Sequence, residues 1–311
     1  MITVLMSVYN ERIEWIKQSI NSMLDQTYTD IEIFIVIDNP NLDKDCKDYL
    51  LNVAKNDKRV TLVWNEKNIG LASSLNKGIL LSKGEYIARM DADDISFPNR
   101  LEKELDFLIS KDYDIVSANK IDIDEDGAII RKEKINEKDP NKVIEYSNII
   151  VHPLVMMKKT AVTHLGGYRL LKNSEDYDLW LRMTDAGYKF GILDDYLLYY
   201  RVRSNSASVE RLLEQYYVTK YVRYLHQERK KEGNDSFSVE QQEEYLSRCN
   251  FSDSMKRKIA RSQEYIRRAM DNLHDHRYIY GLFLMCVALY YCPVLFFDKF
   301  KNHTFERLKM H

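Results

Sequence analysis

The stretch Arg89-Met90-Asp91-Ala92-Asp93-Asp94 places three carboxylates within four residues, directly behind the apolar run Tyr86-Ile87-Ala88. In an extended segment side chains alternate faces, so Asp91 and Asp93 are expected on the same side. Two carboxylates aimed at one point repel unless a cation sits there. Hard oxygen donors at the end of a buried strand suit Mg²⁺ or Mn²⁺, ions that keep open positions for substrate phosphates. A solvated acidic turn has the same composition, so the choice falls to the elements that deliver the cluster.

Those elements alternate. Ile2–Val8 reads as a first strand, followed by a helix whose core stripe is Ile13, Ile16, Ile20, Met23 and Leu24. The nearly continuous apolar run Ile31–Ile37 predicts a strand covered on both faces, ending in Asp38-Asn39-Pro40. A helix over 43–55, a strand over 60–64, a turn through Asn65–Gly70 and a helix bearing Leu71, Leu75 and Ile79 come next. Residues 85–90 then form the strand that delivers the acidic cluster, and Pro98 opens a helix with Leu101, Leu105 and Leu108 at helical spacing. The alternation predicts an α/β fold with a largely parallel sheet, and such sheets bind ligands at the carboxyl ends of their strands.

The motifs Ser7-Val8-Tyr9-Asn10-Glu11, Asp38, Asn68-Ile69-Gly70 with Asn76 and Gly78, Asp91-Ala92-Asp93-Asp94, Pro98-Asn99-Arg100-Leu101, and Glu175-Asp176 with Trp180 stand in a definite order. In this the chain resembles the family 2 glycosyltransferases of the GT-A fold, over about its first 205 residues. The resemblance implies a Rossmann-like mixed sheet flanked by helices and a nucleotide-sugar donor, usually a UDP-sugar. It implies that Val8, Tyr9 and Glu11 line the nucleoside pocket and that Asp38 reaches the uracil. Asp91, with Ala92 beside it, would serve the nucleoside side, and Asp93 the Mn²⁺ or Mg²⁺ that bridges the diphosphate. Lys67, beside Gly70, and Arg100 are candidates for charge contacts near the diphosphate or the acidic cluster, with Arg100 alternatively a partner of Asp93 or Asp94.

Further on, Asp124-Glu125-Asp126-Gly127 reads as a hairpin turn between 119–123 and 128–132. Ile149–Pro153 resembles the family segment that returns towards the site, which makes His152 a candidate contact to acceptor or phosphate. In Ser174–Trp180, Ser174 is a candidate helix cap, and Glu175, Asp176 and Asp178 complement the positive end of the helix. The family places its general base in the Glu175-Asp176 pair, which assigns Asp176 the acceptor proton, with Asp178 as a local control. Strands over 189–193 and 196–200 close a catalytic domain of residues 1–208, and Arg201–Ser206 resembles the polar loop that covers the donor, with Arg203 facing the diphosphate.

Residues 209–311 are expected to form a helical extension, with helices over 209–231, from Ser238 (a capping box with Gln241) and over 253–274. Residues 278–297 carry no charge and number 20, enough by count to cross a bilayer. Pro293, Gly281, four tyrosines and the flanking Arg277, Lys299 and Lys301 fit a segment lying at a membrane interface instead, and a buried C-terminal helix is the third reading.

The chain has 311 residues and a net charge of -2. The extension holds 18 Lys+Arg against 14 Asp+Glu, which leaves residues 1–208 acidic, a balance that argues against a nucleic-acid partner. Four cysteines without metal-ligand spacing, and Met1 leading directly into a strand, lead us to expect a cytoplasmic protein, at the inner face of the membrane if the C-terminal segment attaches there. The expected activity is inverting, metal-dependent transfer to a hydroxyl of a glycan or lipid-linked saccharide in cell-surface polysaccharide synthesis. The alternatives are a non-catalytic nucleotide-sugar-binding protein of the same fold and a sugar-phosphate nucleotidyltransferase, the latter disfavoured because Tyr9-Asn10-Glu11-Arg12 lacks the glycines of a phosphate loop.

Overall fold

The computed structural model describes residues 1–135, 139–203, 209–249, 251–274 and 277–293. In order, the chain begins with β1 (Ile2–Val8), α1 (Ile13–Leu24), β2 (Ile31–Ile37), α2 (Lys44–Asn56), β3 (Val60–Trp64), α3 (Leu71–Leu81) and β4 (Tyr86–Asp91). It continues through β5 (Ile95–Ser96), α4 (Arg100–Ser110), β6 (Ile115–Ile123), β7 (Ile129–Glu133), α5 (Pro140–Val143) and a single 3₁₀ turn at His152–Leu154. It closes with β8 (Val155–Lys158), α6 (Lys159–His164), α7 (Glu175–Asp185) and β9 (Phe190–Arg201).

The strands form one sheet in the order β3-β2-β1-β4-β8-β6-β9-β5, with β7 paired to β6. β1, β2, β3 and β4 are mutually parallel, whereas β8 runs antiparallel to both β4 and β6, so the sheet is mixed. Its register sets the site. Val8 lies opposite Ile37 and Ser7 opposite Asp91, so β1, β2 and β4 end level and deliver Tyr9, Asp38 and the acidic cluster to one edge.

Burial explains why the runs fold this way. In β1 and β2 nearly every side chain is buried, as expected for strands covered on both faces. Ile16, Ile20 and Met23 of α1 join the same core, and each such residue contributes about 1.5–3 kcal/mol relative to exposure. The strands expected over 189–193 and 196–200 are one element, β9. Its register against β6 slips between Leu193 and Tyr196, where Asp194 and Asp195 are accommodated as an irregularity, and the slip keeps pairing continuous through to Arg201.

Residues 1–171, 175–203 and 229–233 form one compact unit, and 172–174, 204–228 and 234–311 group as a second. The second unit is helical, built from most of α8 (Val209–Glu232), α9 (Val239–Ser247), α10 (Asp253–His274) and α11 (Tyr278–Tyr291). Ser238 caps α9 by accepting from the Gln241 N–H, and Gly281 lets α11 approach α10, since a Cβ there would sit 2.7 Å from Leu273 Cγ. Among the described residues no helix is long and apolar enough to cross a membrane. The part of the uncharged segment beyond Pro293, with Lys299 and Lys301, lies outside the described residues.

Candidate active site

The acidic cluster forms at the end of β4, but not by strand alternation. Only Asp91 is in the strand, and a turn at Ala92-Asp93 folds the chain back so that one carboxylate oxygen each of Asp91, Asp93 and Asp94 lies within 4.8 Å of the others. Burial and the neighbouring Asp91 push Asp93 up to about 6, against the pull of Arg203. Asp94 is buried and is held well above the ordinary carboxylate value, through burial and then through Asp91 and Asp93. One of its oxygens accepts from the Arg201 N–H at 2.8 Å, while Oδ2 has no hydrogen-bond partner. Three converging carboxylates, two of them held against ionisation and one with an unsatisfied buried oxygen, are what a hard divalent cation would relieve. The residues therefore fit Mn²⁺ or Mg²⁺, with Asp91 and Asp94 available beside Asp93.

Arginines supply the counter-charge. Arg89, buried in β4, forms an ion pair with Asp91, and Arg203 donates to Asp93 at 2.5 Å and reaches Glu11 at 3.4 Å. Arg201 holds the Asp93 carbonyl at 2.8 Å and, like Arg12 and Arg203, packs over the face of Trp15. The antiparallel pairing of β5 with β9 brings Arg201 and Arg203 to the cluster across more than a hundred residues. Ser204, Ser206 and the rest of the polar loop after Arg203 lie outside the described residues.

On the nucleoside side, Tyr9 is exposed and its N–H donates to Glu11 at 2.8 Å, whereas the Val8 side chain is in the core. Asp38 is buried and accepts from Asn65 Nδ2, Ile69 N and Gly70 N at 2.8–2.9 Å. It thereby fixes the turn before α3, in which Gly70 adopts φ +85° and Lys67 is exposed. Arg100 requires a correction. It is fully buried, donating to Glu104 at 3.0 Å and to the Arg89 carbonyl at 2.8 Å, so it neither pairs with Asp93 or Asp94 nor faces the open edge. A buried guanidinium needs all its donors matched, and α4 supplies the match four residues on.

The second acidic stretch opens α7. Glu175 and Asp176 are half-buried, and Asn148 Nδ2 donates to Asp176 Oδ2 at 3.0 Å. Burial, then Asp176, pushes Glu175 up to about 7, and burial raises Asp176 while Asn148 and the helix N-terminal amides favour its ionised form. Asp178, the local control, is fully buried against Arg182 at 2.7 Å, with Arg169 at 3.5 Å, in a packing ion pair. Ser174 does not cap the helix as expected: its φ is +60° and its hydroxyl meets Thr219 Oγ1 at 3.0 Å.

His152 Nε2 lies 2.9 Å from the Tyr168 hydroxyl, and burial followed by the charge of Arg89 holds its pKa well below the ordinary value, keeping it neutral. Asn76 clamps both backbone groups of Tyr168, and Gly167 must be glycine because a Cβ would stand 2.3 Å from Asn76 Oδ1. Asn148 and Trp15 escaped the sequence reading, which also gave Arg89 and Arg201 no contact with the acidic cluster. For Arg89 a signal existed, since a lone charge inside an apolar strand must find a partner.

Residues 3–166 match the family described as Glycosyl transferase family 2. The chain belongs to that family. Among relatives of this glycosyltransferase, the O-antigen biosynthesis glycosyltransferase WbnJ of Escherichia coli is 35% identical over 216 residues, 68% of this chain and 84% of the relative. Among solved structures, S. aureus TarS in complex with UDP-GlcNAc superposes with TM-score 0.60 at 15% identity, covering 85% of this chain and 80% of that one. The mannosyltransferase PcManGT from Pyrobaculum calidifontis, in complex with GDP-Man and Mn²⁺, gives TM-score 0.54 at 14% identity, covering 100% and 80%. The mixed sheet flanked by helices is accordingly the GT-A fold that the sequence motifs implied, with a helical C-terminal region.

Proposed function

We propose that this glycosyltransferase is metal-dependent and inverting, and that it moves a sugar from a UDP-sugar to a hydroxyl of a glycan or lipid-linked saccharide in the synthesis of a surface polysaccharide. The observation that carries the reading is the convergence of Asp91, Asp93 and Asp94 within 4.8 Å at the edge where β1, β2 and β4 end level. The O-antigen biosynthesis role of WbnJ supports the polysaccharide class, UDP-GlcNAc on TarS supports the donor, and Mn²⁺ on PcManGT supports the metal.

In this reading Tyr9 and Glu11, at the end of β1, and Asp38, through the turn it fixes, shape the nucleoside side, with Asp91 and the Ala92 backbone beside them. Lys67 and Gly70 flank that turn, and His152 braces Tyr168 through its hydroxyl. Asp93, with Asp91 and Asp94, would hold Mn²⁺ or Mg²⁺, which when bound supplies charge neutralisation for the diphosphate. Arg203, drawn off Asp93, would turn to the same phosphates.

The acceptor oxygen attacks the anomeric carbon opposite the leaving phosphate oxygen, inverting that centre. The new C–O bond forms as the old one breaks, its electron pair leaving with UDP, while the hydroxyl proton passes to the Asp176 carboxylate. Burial raises the basicity of Asp176, and Asn148 keeps it positioned. A cytoplasmic location follows for an enzyme that draws on nucleotide sugars. A thermal-shift screen of nucleotides and nucleotide sugars with and without Mn²⁺ tests the proposal. Metal-dependent stabilisation by UDP and UDP-sugars supports it, a preference for GDP would move the donor class, and indifference to all of them would reject it.

A further inference from the structure

The helical unit carries a surface that the transfer chemistry does not use. On α11, Gly281, Leu284 and Ala288 are buried, and Ser262 of α10 donates to the Ala288 carbonyl at 3.0 Å. The opposite face is apolar and exposed: Ile279 is 87% exposed, Phe283 59% and Tyr290 82%, with Leu282 beside them. These positions recur at helical spacing and form one stripe. Such a stripe on a helix end is a docking feature when something of matching chemistry covers it.

Charge identifies that partner. Tyr290 also lines a cavity of about 480 Å³ together with Ser254, Arg257, Lys258, Arg261 and Tyr291. Among the described residues no carboxylate lines it. The nearby acidic groups of α10 are matched elsewhere, Asp253 to Lys256 at 3.6 Å and Glu264 to Arg268 at 3.8 Å. Arg261 is held over the Tyr291 ring at 5.3 Å, its guanidinium edge 3.3 Å from the hydroxyl. A basic, aromatic-walled recess beside an exposed apolar stripe matches an anionic headgroup above acyl chains. A second copy seated face to face would oppose basic ridges of like charge. At about 1.5 Å per residue the 14-residue helix rises about 21 Å, short of the roughly 30 Å hydrocarbon core, so α11 by itself is too short to cross a bilayer.

We infer that α10 and α11 dock on an anionic bilayer surface, the Ile279–Phe283–Tyr290 stripe entering the headgroup boundary while Arg257, Lys258 and Arg261 hold a lipid phosphate at the cavity. This rests on the helical unit alone and is independent of the donor and metal assignments.

The test is co-sedimentation of the full chain, without nucleotide, on vesicles of phosphatidylcholine alone and of phosphatidylcholine with equimolar phosphatidylglycerol. Binding should be selective for the anionic vesicles and weaken with salt. At about fivefold per basic residue, R257Q/K258Q/R261Q should weaken it about a hundredfold. I279D/F283D should lower binding to both vesicle types. All five positions are exposed, and unchanged thermal midpoints verify folding. Equal partition of the unaltered chain onto both vesicle types, no binding at low salt, or a self-association abolished by I279D/F283D with vesicle binding intact would each overturn the inference. Failure of the nucleotide screen leaves these outcomes untouched.

Discussion

The stretches Asp91–Asp94 and Glu175–Asp178 are nearly interchangeable as composition, yet their surroundings differ. In the first, three carboxylates converge within 4.8 Å, with buried Arg89 and the half-exposed Arg203 as counter-charges. In the second, the acidic residues spread along the start of a helix: Asp176 meets Asn148, and Asp178 is turned inward to Arg182. Converging charge calls for a cation, whereas spread charge lets each carboxylate take its own partner and its own task. Acidic content therefore does not assign a role, but the geometry of convergence does.

The contrast can be broken by substitution. Asp176→Asn should lower turnover by about 10²–10⁴-fold, the range of a lost general base, while donor affinity stays unchanged; a matching rise in Kd for UDP would move Asp176 into the donor site. In the same stretch Arg182→Ala should destabilise the fold by about 3–5 kcal/mol, because it removes the hydrogen-bonded partner of buried Asp178 and leaves it Arg169 at 3.5 Å, and denaturant unfolding reads this directly. A loss below about 1 kcal/mol would mean the pair is not buried in solution. Asp38→Asn, which removes the charge that holds Ile69 and Gly70, should cost about 1.5–3 kcal/mol by the same measurement and loosen nucleotide binding with it.

The smallest effect is a dependence on pH. Asp93 is raised from 3.8 to about 6, so the folded state retains its proton longer than the unfolded chain does. Its contribution to stability is present below about pH 4 and is lost as the pH rises through about 6 in the absence of metal. Mn²⁺ would take the ionised form, so the thermal shift on adding it should grow from about pH 5 to about pH 7.5. A shift independent of pH would mean that the cluster is already ionised throughout.

The strands and helices of the catalytic part were readable because their apolar periodicity is local, as in Ile31–Ile37 and in the Ile16–Ile20–Met23 stripe. The acidic cluster was readable for the same reason, although the turn at Ala92-Asp93, not alternation, builds it. What escaped was set by the order of strands. Arg203 meets Asp93, and Arg201 meets Asp94, only because β9 returns beside β5, and Asn148 reaches Asp176 from a segment with no periodic pattern. Arg100 misled because its match, Glu104, lies on its own helix and inside the core. Ser174 looked like a cap by residue type, but its left-handed backbone turns the hydroxyl to Thr219.

The division of labour between the two acidic stretches is tested most directly by calorimetric titration of UDP, in the presence of Mn²⁺, into the unaltered enzyme, Asp93→Ala and Asp176→Asn. The account predicts that Asp93→Ala abolishes metal-dependent binding and that Asp176→Asn binds as the unaltered enzyme does. Retained metal-dependent binding by Asp93→Ala, or its loss in Asp176→Asn, would contradict it.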